Sequence, residues 1–93
     1  MMRYEVETVL FIDDDSGYYI SVYDTIEDLY YANNEEKRGT GINVILRSLG
    51  LDIEYRDMAL ILGSAYEDED GELFYKNKND ADRIARVLQR LFN

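Results

Sequence analysis

The sequence predicts a small two-layer α+β domain, in which an antiparallel sheet of about four strands carries three helices in the order β-β-α-α-β-β-α. Three observations support this. Acidic turns ending in glycine, Asp13-Asp14-Asp15-Ser16-Gly17 and Glu67-Asp68-Glu69-Asp70-Gly71, each lie between stretches rich in branched and aromatic residues, as hairpin turns do. Two other stretches space their apolar residues at helical period. Finally, a chain of 93 residues buries only about 60–65% of the surface its unfolded form exposes, so residues 1–93 form one domain with a single thin core.

In chain order, Tyr4 to Ile12 reads as a first strand and Tyr18 to Tyr23 as its hairpin partner. Thr25 follows as an expected N-cap, with Asp28 three residues on and Ile26, Leu29 and Tyr30 at helical spacing, so a short helix is expected to end near Asn33 or Asn34. Glu35 to Gly39 is a charged loop. Thr40 then caps a helix with apolar positions Ile42, Ile45, Leu46 and Leu49, stopped by Gly50 as the left-handed residue past its last turn. The apolar run Met58 to Leu62 and the segment from Leu73 to Tyr75 are expected to form a second hairpin. Asn79 is expected to cap a last helix whose stripe is Ala81, Ile84, Ala85, Leu88 and Phe92.

At an offset of 54 residues Gly17 meets Gly71, Asp14 meets Asp68, Thr25 meets Asn79 and Asp28 meets Asp82. The expected plan is therefore a pseudo-repeat of two ββα halves, residues 1–34 and 57–93, around a middle loop and helix at 35–56. Hairpins commonly end in glycine and helices commonly start with Ser, Thr, Asp or Asn, so coincidence is the competing explanation.

Composition removes whole classes of function. Twenty Asp and Glu against ten Lys and Arg give a net charge of -10, which repels nucleic acid phosphates and anionic membranes, so neither is an expected partner. The imbalance is concentrated in residues 1–34, which carry eight acids and one base. The hydrophobic fraction of 46%, with nine Tyr and three Phe, places that charge on a folded body. Cysteine is absent, so disulfides, thiolate nucleophiles and thiolate metal sites are excluded, and the cytoplasm is the expected compartment. No apolar run approaches the ~18 residues of a spanning helix, and Met1 to Glu7 lacks the order of a secretory signal.

Histidine is also absent, which removes the commonest general base and zinc ligand; no catalytic constellation and no cofactor is expected. The acidic turns fail as EF-hand loops. With Gly71 at the sixth position the first falls on Tyr66 and the twelfth on Asn77, and with Gly17 there they fall on Ile12 and Tyr23. The segment Glu36-Lys37-Arg38-Gly39-Thr40-Gly41 resembles the Arg/Gln-x-x-Gly-x-Gly/Ala loop with which GNAT acetyltransferases hold the coenzyme A pyrophosphate. It departs at its first residue, and the preceding stretch does not read as the strand that family needs, so a small acyltransferase is the lesser alternative.

What remains is a tyrosine-rich acidic surface. If Ile20 and Val22 face the core, alternation turns Tyr19, Ser21 and Tyr23 to the opposite face, with Glu5 and Glu7. Such tyrosines either supply contact area for a partner or roof the core with their hydroxyls in water. The leading expectation is a non-enzymatic binding protein whose Glu5, Glu7, Tyr19, Tyr23, Asp24, Glu27 and Asp28 engage a basic protein surface, such as that of a nucleic-acid-binding protein. In size and charge the chain is similar to phage-encoded anti-CRISPR and anti-restriction inhibitors that imitate nucleic acid. The second alternative is a self-associating structural protein, a homodimer at its simplest.

Overall fold

In a computed structural model, which describes residues 2–11, 17–32 and 41–93, β1 (Tyr4–Phe11) and β2 (Gly17–Asp24) pair antiparallel from Tyr4 opposite Asp24 to Phe11 opposite Gly17. Gly17 opens β2 with φ +91, and its missing side chain lets the Tyr75 carbonyl approach. The turn acids Asp13 to Asp15 lie outside the described residues.

The helix expected from Thr25 is instead a turn and a third strand, β3 (Leu29–Ala32), which pairs antiparallel with the second half of β2. The Asp24 carboxylate accepts the Ile26 and Glu27 N–H groups at 3.0 and 3.2 Å, which is the bonding of a helix start, but Asp28 then takes φ +55 and ends the turn. Leu29-Tyr30-Tyr31, well suited to a pleated surface, joins the sheet.

Helix α1 (Ile42–Ser48) follows its sequence pattern: Ile42, Ile45 and Leu46 are buried, while Leu49 is exposed. Its end is a Schellman motif, in which Gly50 at φ +76 donates to the Arg47 carbonyl and Leu51 to that of Leu46. Thr40 lies outside the described residues, and Gly41 occupies the N-cap position. The buried Asn43 places the next element by accepting the Tyr55 N–H at 2.7 Å and donating to Glu54 at 3.0 Å.

The apolar run expected as a strand is helical. Short α2 (Tyr55–Asp57) continues into a π-turn at Met58–Leu62, closed by the Gly63 N–H donating to the carbonyls of Met58 and Ala59. Met58 and Ala59 are buried, whereas Ile61 and Leu62 stand in solvent. The second hairpin is therefore shorter than expected, β4 (Tyr66–Glu67) against β5 (Leu73–Phe74), and the five strands of the described residues form sheets of three and two rather than one of four. A single bridge between Tyr18 and Tyr75 joins the two along the edge of β2 that β3 leaves free.

Helix α3 (Lys78–Leu91) begins at Asn77, two residues before the expected cap, and buries Ala81, Ile84, Ala85 and Leu88 against β1 and β2. With Thr25 in a turn and Asn79 in the first helical turn, the 54-residue equivalence does not extend past Gly17 and Gly71, which share a positive φ. The fold is thus small α+β, with antiparallel strands and three helical segments among the described residues. Its core lies where Ile20 and Val22 meet Ile45, Leu46, Tyr55, Tyr75, Ile84 and Leu88. None of the helices among the described residues is long and apolar enough to cross a membrane.

Candidate functional site

Residues directly opposite in an antiparallel pair share a face, so the register defines the surface turned away from α3. Its first row is Glu5, Tyr23 and Tyr30, its second Glu7, Ser21 and Ala32, and its third Val9 and Tyr19. The face anticipated from alternation is present: Ile20 and Val22 are fully buried, and Glu5 and Glu7 are exposed. From Tyr4 to Ala32 the chain contains no Lys or Arg, so no cation from these strands offsets the acids.

Two tyrosines of the first row meet on this face. The Tyr23 and Tyr30 rings lie 4.9 Å apart, and the Tyr23 hydroxyl donates to Asp28 at 2.5 Å. That bond, with the neighbouring carboxylate charge, holds the Tyr23 hydroxyl protonated above the usual tyrosine range. Asp28 is thereby both a surface charge and a fastener. Tyr30 is 61% exposed and Ile26, at the tip of the turn, 69%. A helix from Thr25 would place both away from this face, so neither belongs to the site expected from sequence; the run Leu29-Tyr30-Tyr31 is the available signal for a strand.

Two expected contact residues are placed differently. Asp24 is fully buried and is a structural residue rather than a surface contact. Its carboxylate receives Arg3 Nε at 3.1 Å and Nη2 at 3.0 Å, besides the two turn N–H groups, and these bonds hold its pKa below the ordinary value. Tyr19 is half-buried in an aromatic cluster, edge-on to Phe11 at 6.3 Å and to Phe74 at 6.4 Å. It joins the two sheets and leaves only part of its ring to solvent. Glu5, Glu7, Glu27 and Asp28 remain exposed, with Tyr23 half-exposed among them.

Of the other motifs, Glu36 to Thr40 of the acetyltransferase-like loop lie outside the described residues, and the helix it opens has seven residues. In the second acidic turn Asp68 Oδ1 accepts the N–H groups of Asp70 and Glu72 at 2.9 and 2.8 Å, with Gly71 at φ +81, so this carboxylate is engaged in shaping the turn. Comparison of the chain with protein-family models, with curated proteins and with solved structures found no match in any of the three.

Proposed function

We propose that the protein acts in the cytoplasm as a binding protein whose β1–β3 face engages a basic protein surface, such as the nucleic-acid groove of another protein. The reading rests on one observation: a row of Glu5, Tyr23 and Tyr30, flanked by Glu7, Glu27 and Asp28, on strands that carry no Lys or Arg from Tyr4 to Ala32. Carboxylates fixed on a scaffold can occupy positions built for phosphates, and their field accelerates the encounter. Paired tyrosines add contact area at low entropic cost. Inhibition by imitation of nucleic acid is the activity such a face would serve.

The experiment is capture of a partner from the host cell, followed by competition with duplex DNA or RNA for the purified partner. Displacement by the nucleic acid supports the reading. Simultaneous binding of both would overturn the mimicry, and a partner surface lacking Lys and Arg would overturn the reading as a whole.

A further inference from the structure

Arg3 shows how this fold holds a guanidinium. Tyr4 and Asp24 lie directly opposite each other in the β1–β2 ladder, on the core side of the sheet. Arg3 sets its guanidinium 5.0 Å from the centre of the Tyr4 ring and forks onto Asp24, with Nε 3.1 Å from Oδ1 and Nη2 3.0 Å from Oδ2. A tyrosine paired with an acid across the ladder thus supplies a π face and two carboxylate oxygens. A planar guanidinium uses both, whereas a compact, strongly hydrated ammonium matches neither as well.

The next rung carries the same pair with the strands exchanged. Glu5 of β1 lies directly opposite Tyr23 of β2, and alternation turns both to the outer face. Glu5 is exposed and Tyr23 half-exposed. Tyr30 stands on the far side of Tyr23, its ring 4.9 Å away and inclined by 39°. Asp28 accepts the Tyr23 hydroxyl at 2.5 Å, which fixes the ring and leaves the hydroxyl oxygen as an acceptor. No cation completes this rung. No ion pair among the described residues includes Glu5, and Arg3, the only base of residues 1–34, is committed to Asp24.

We infer that the Glu5–Tyr23 rung is an arginine site, filled by a guanidinium of the partner that lies over the Tyr23 ring and forks onto Glu5. The inference rests on the reading of a basic partner and specifies it: the partner presents arginine rather than lysine at this point. Tyr30 backs the Tyr23 ring from the side away from Glu5, and Asp28 adds negative charge at the border of the pair. An arginine that forks onto phosphate in a nucleic-acid groove has the geometry to fork onto Glu5 instead.

Arginine and lysine hexapeptides, equal in charge and length, are the probes. Their affinities for the intact protein are to be measured by titration calorimetry in roughly 0.05 M NaCl, with the tyrosine ring and Glu5 amide resonances followed by NMR. Hexa-arginine is expected to bind about threefold or more tighter than hexalysine and to shift the Tyr23, Tyr30 and Glu5 signals. Tyr23→Phe keeps the ring and should keep the preference, which Tyr23→Leu should remove. Glu5→Gln should bring the arginine peptide to within about twofold of the lysine peptide, whereas Glu7→Gln should weaken both alike. Glu5 and Glu7 are exposed, so these two variants should melt as the parent does, and they decide the matter even if Tyr23→Leu fails to fold. Equal affinities of the two peptides, a preference that survives Glu5→Gln, or binding of hexa-arginine without shifts at Tyr23 and Glu5 would each overturn the arginine site and leave the reading of a basic partner standing. Binding of neither peptide would overturn both.

Discussion

The Tyr55 and Tyr75 hydroxyls meet 3.0 Å apart inside the core, and both rings are fully buried. Each hydroxyl is the other's partner, so removing one strands the other in a dry environment. Tyr75→Phe is expected to cost about 1–3 kcal/mol, whereas changing both to Phe should restore much of that loss because no polar group is left unsatisfied. Urea melts of the two single variants and the double variant decide it. A double variant less stable than either single variant would mean that the pair contributes beyond mutual satisfaction.

The same pair sets the alkaline limit of the fold. Burial pushes the Tyr75 hydroxyl up to about 12 and raises Tyr55 well above its ordinary value, because the phenolate would be desolvated. In the unfolded chain tyrosine ionises near pH ~10. Both groups therefore stabilise the fold fully below that pH, and the contribution of Tyr75 is lost as pH rises from 10 toward 12. With no His or Cys to titrate, stability is expected to be nearly level from about pH 6 to 9 and then to fall. Thermal melts across this range test it, and a steep slope already at pH 7–8 would refute the assignment.

Asp24 separates structure from surface charge. Asp24→Asn removes the charge that Arg3 grips and one oxygen acceptor, and is expected to destabilise the fold by about 1–3 kcal/mol, while the exposed Glu27→Gln should stay within about 0.5 kcal/mol. Because the native pKa of Asp24 is depressed, its contribution is present above the unfolded value near 3.8 and is lost as pH falls through the native one. Equal stability of the two variants would return Asp24 to the list of surface contacts.

The Asp24 turn also explains what the sequence could and could not convey. A carboxylate accepting N–H groups two and three residues ahead is common to helix starts and tight turns, so Asp24, Thr25 and the spacing of Ile26, Leu29 and Tyr30 fit a helix equally well. The vacant edge of β2, a non-local feature, decided for a strand. Met58–Leu62 was ambiguous for another reason, since a five-residue apolar run has no period to read. Where a stripe runs over several turns its period is readable: Ile42, Ile45 and Leu46, followed by the Gly50 stop, and Ala81, Ile84, Ala85, Leu88 and Phe92 are all buried, although Leu49 is exposed and the last helix is capped at Asn77 rather than Asn79. Of the expected face, the alternation of β1 and β2 was legible, while the Tyr23–Tyr30 pair depended on β3 and was not.

Two glycines are expected to respond differently to alanine. At Gly63 an added Cβ would lie 2.7 Å from Ile84 Cγ1 and 2.8 Å from both the Ala59 carbonyl oxygen and Tyr75 Cε2, so the variant is overpacked and should lose about 3 kcal/mol. At Gly50 nothing lies within 4 Å, and only the positive φ of +76 opposes a side chain. Gly50→Ala should cost about 1 kcal/mol, and Gly50→Asn less, since Asn tolerates this region. Denaturant midpoints give the order, and a Gly63→Ala variant as stable as Gly50→Ala would show that Tyr75 and Ile84 can move aside.

Partner binding through the β1–β3 face should divide into a charge effect and a packing effect. Glu7 and Glu27 are exposed, so Glu7→Lys with Glu27→Lys should leave the fold intact and act on the encounter alone. Asp28 is a poorer probe, because its replacement also releases the Tyr23 hydroxyl from its 2.5 Å bond. The double reversal is expected to slow association by about tenfold or more at low salt and to flatten its salt dependence, since the Debye length shrinks from ~10 Å at 0.1 M to ~3 Å at 1 M. Tyr30→Ala should instead raise the off-rate, at a cost of about 2 kcal/mol if the ring fills a desolvated pocket. Surface plasmon resonance against the captured partner at several salt concentrations separates the two effects. If both variants melt normally and bind with unchanged rates and salt response, the partner is engaged by another surface.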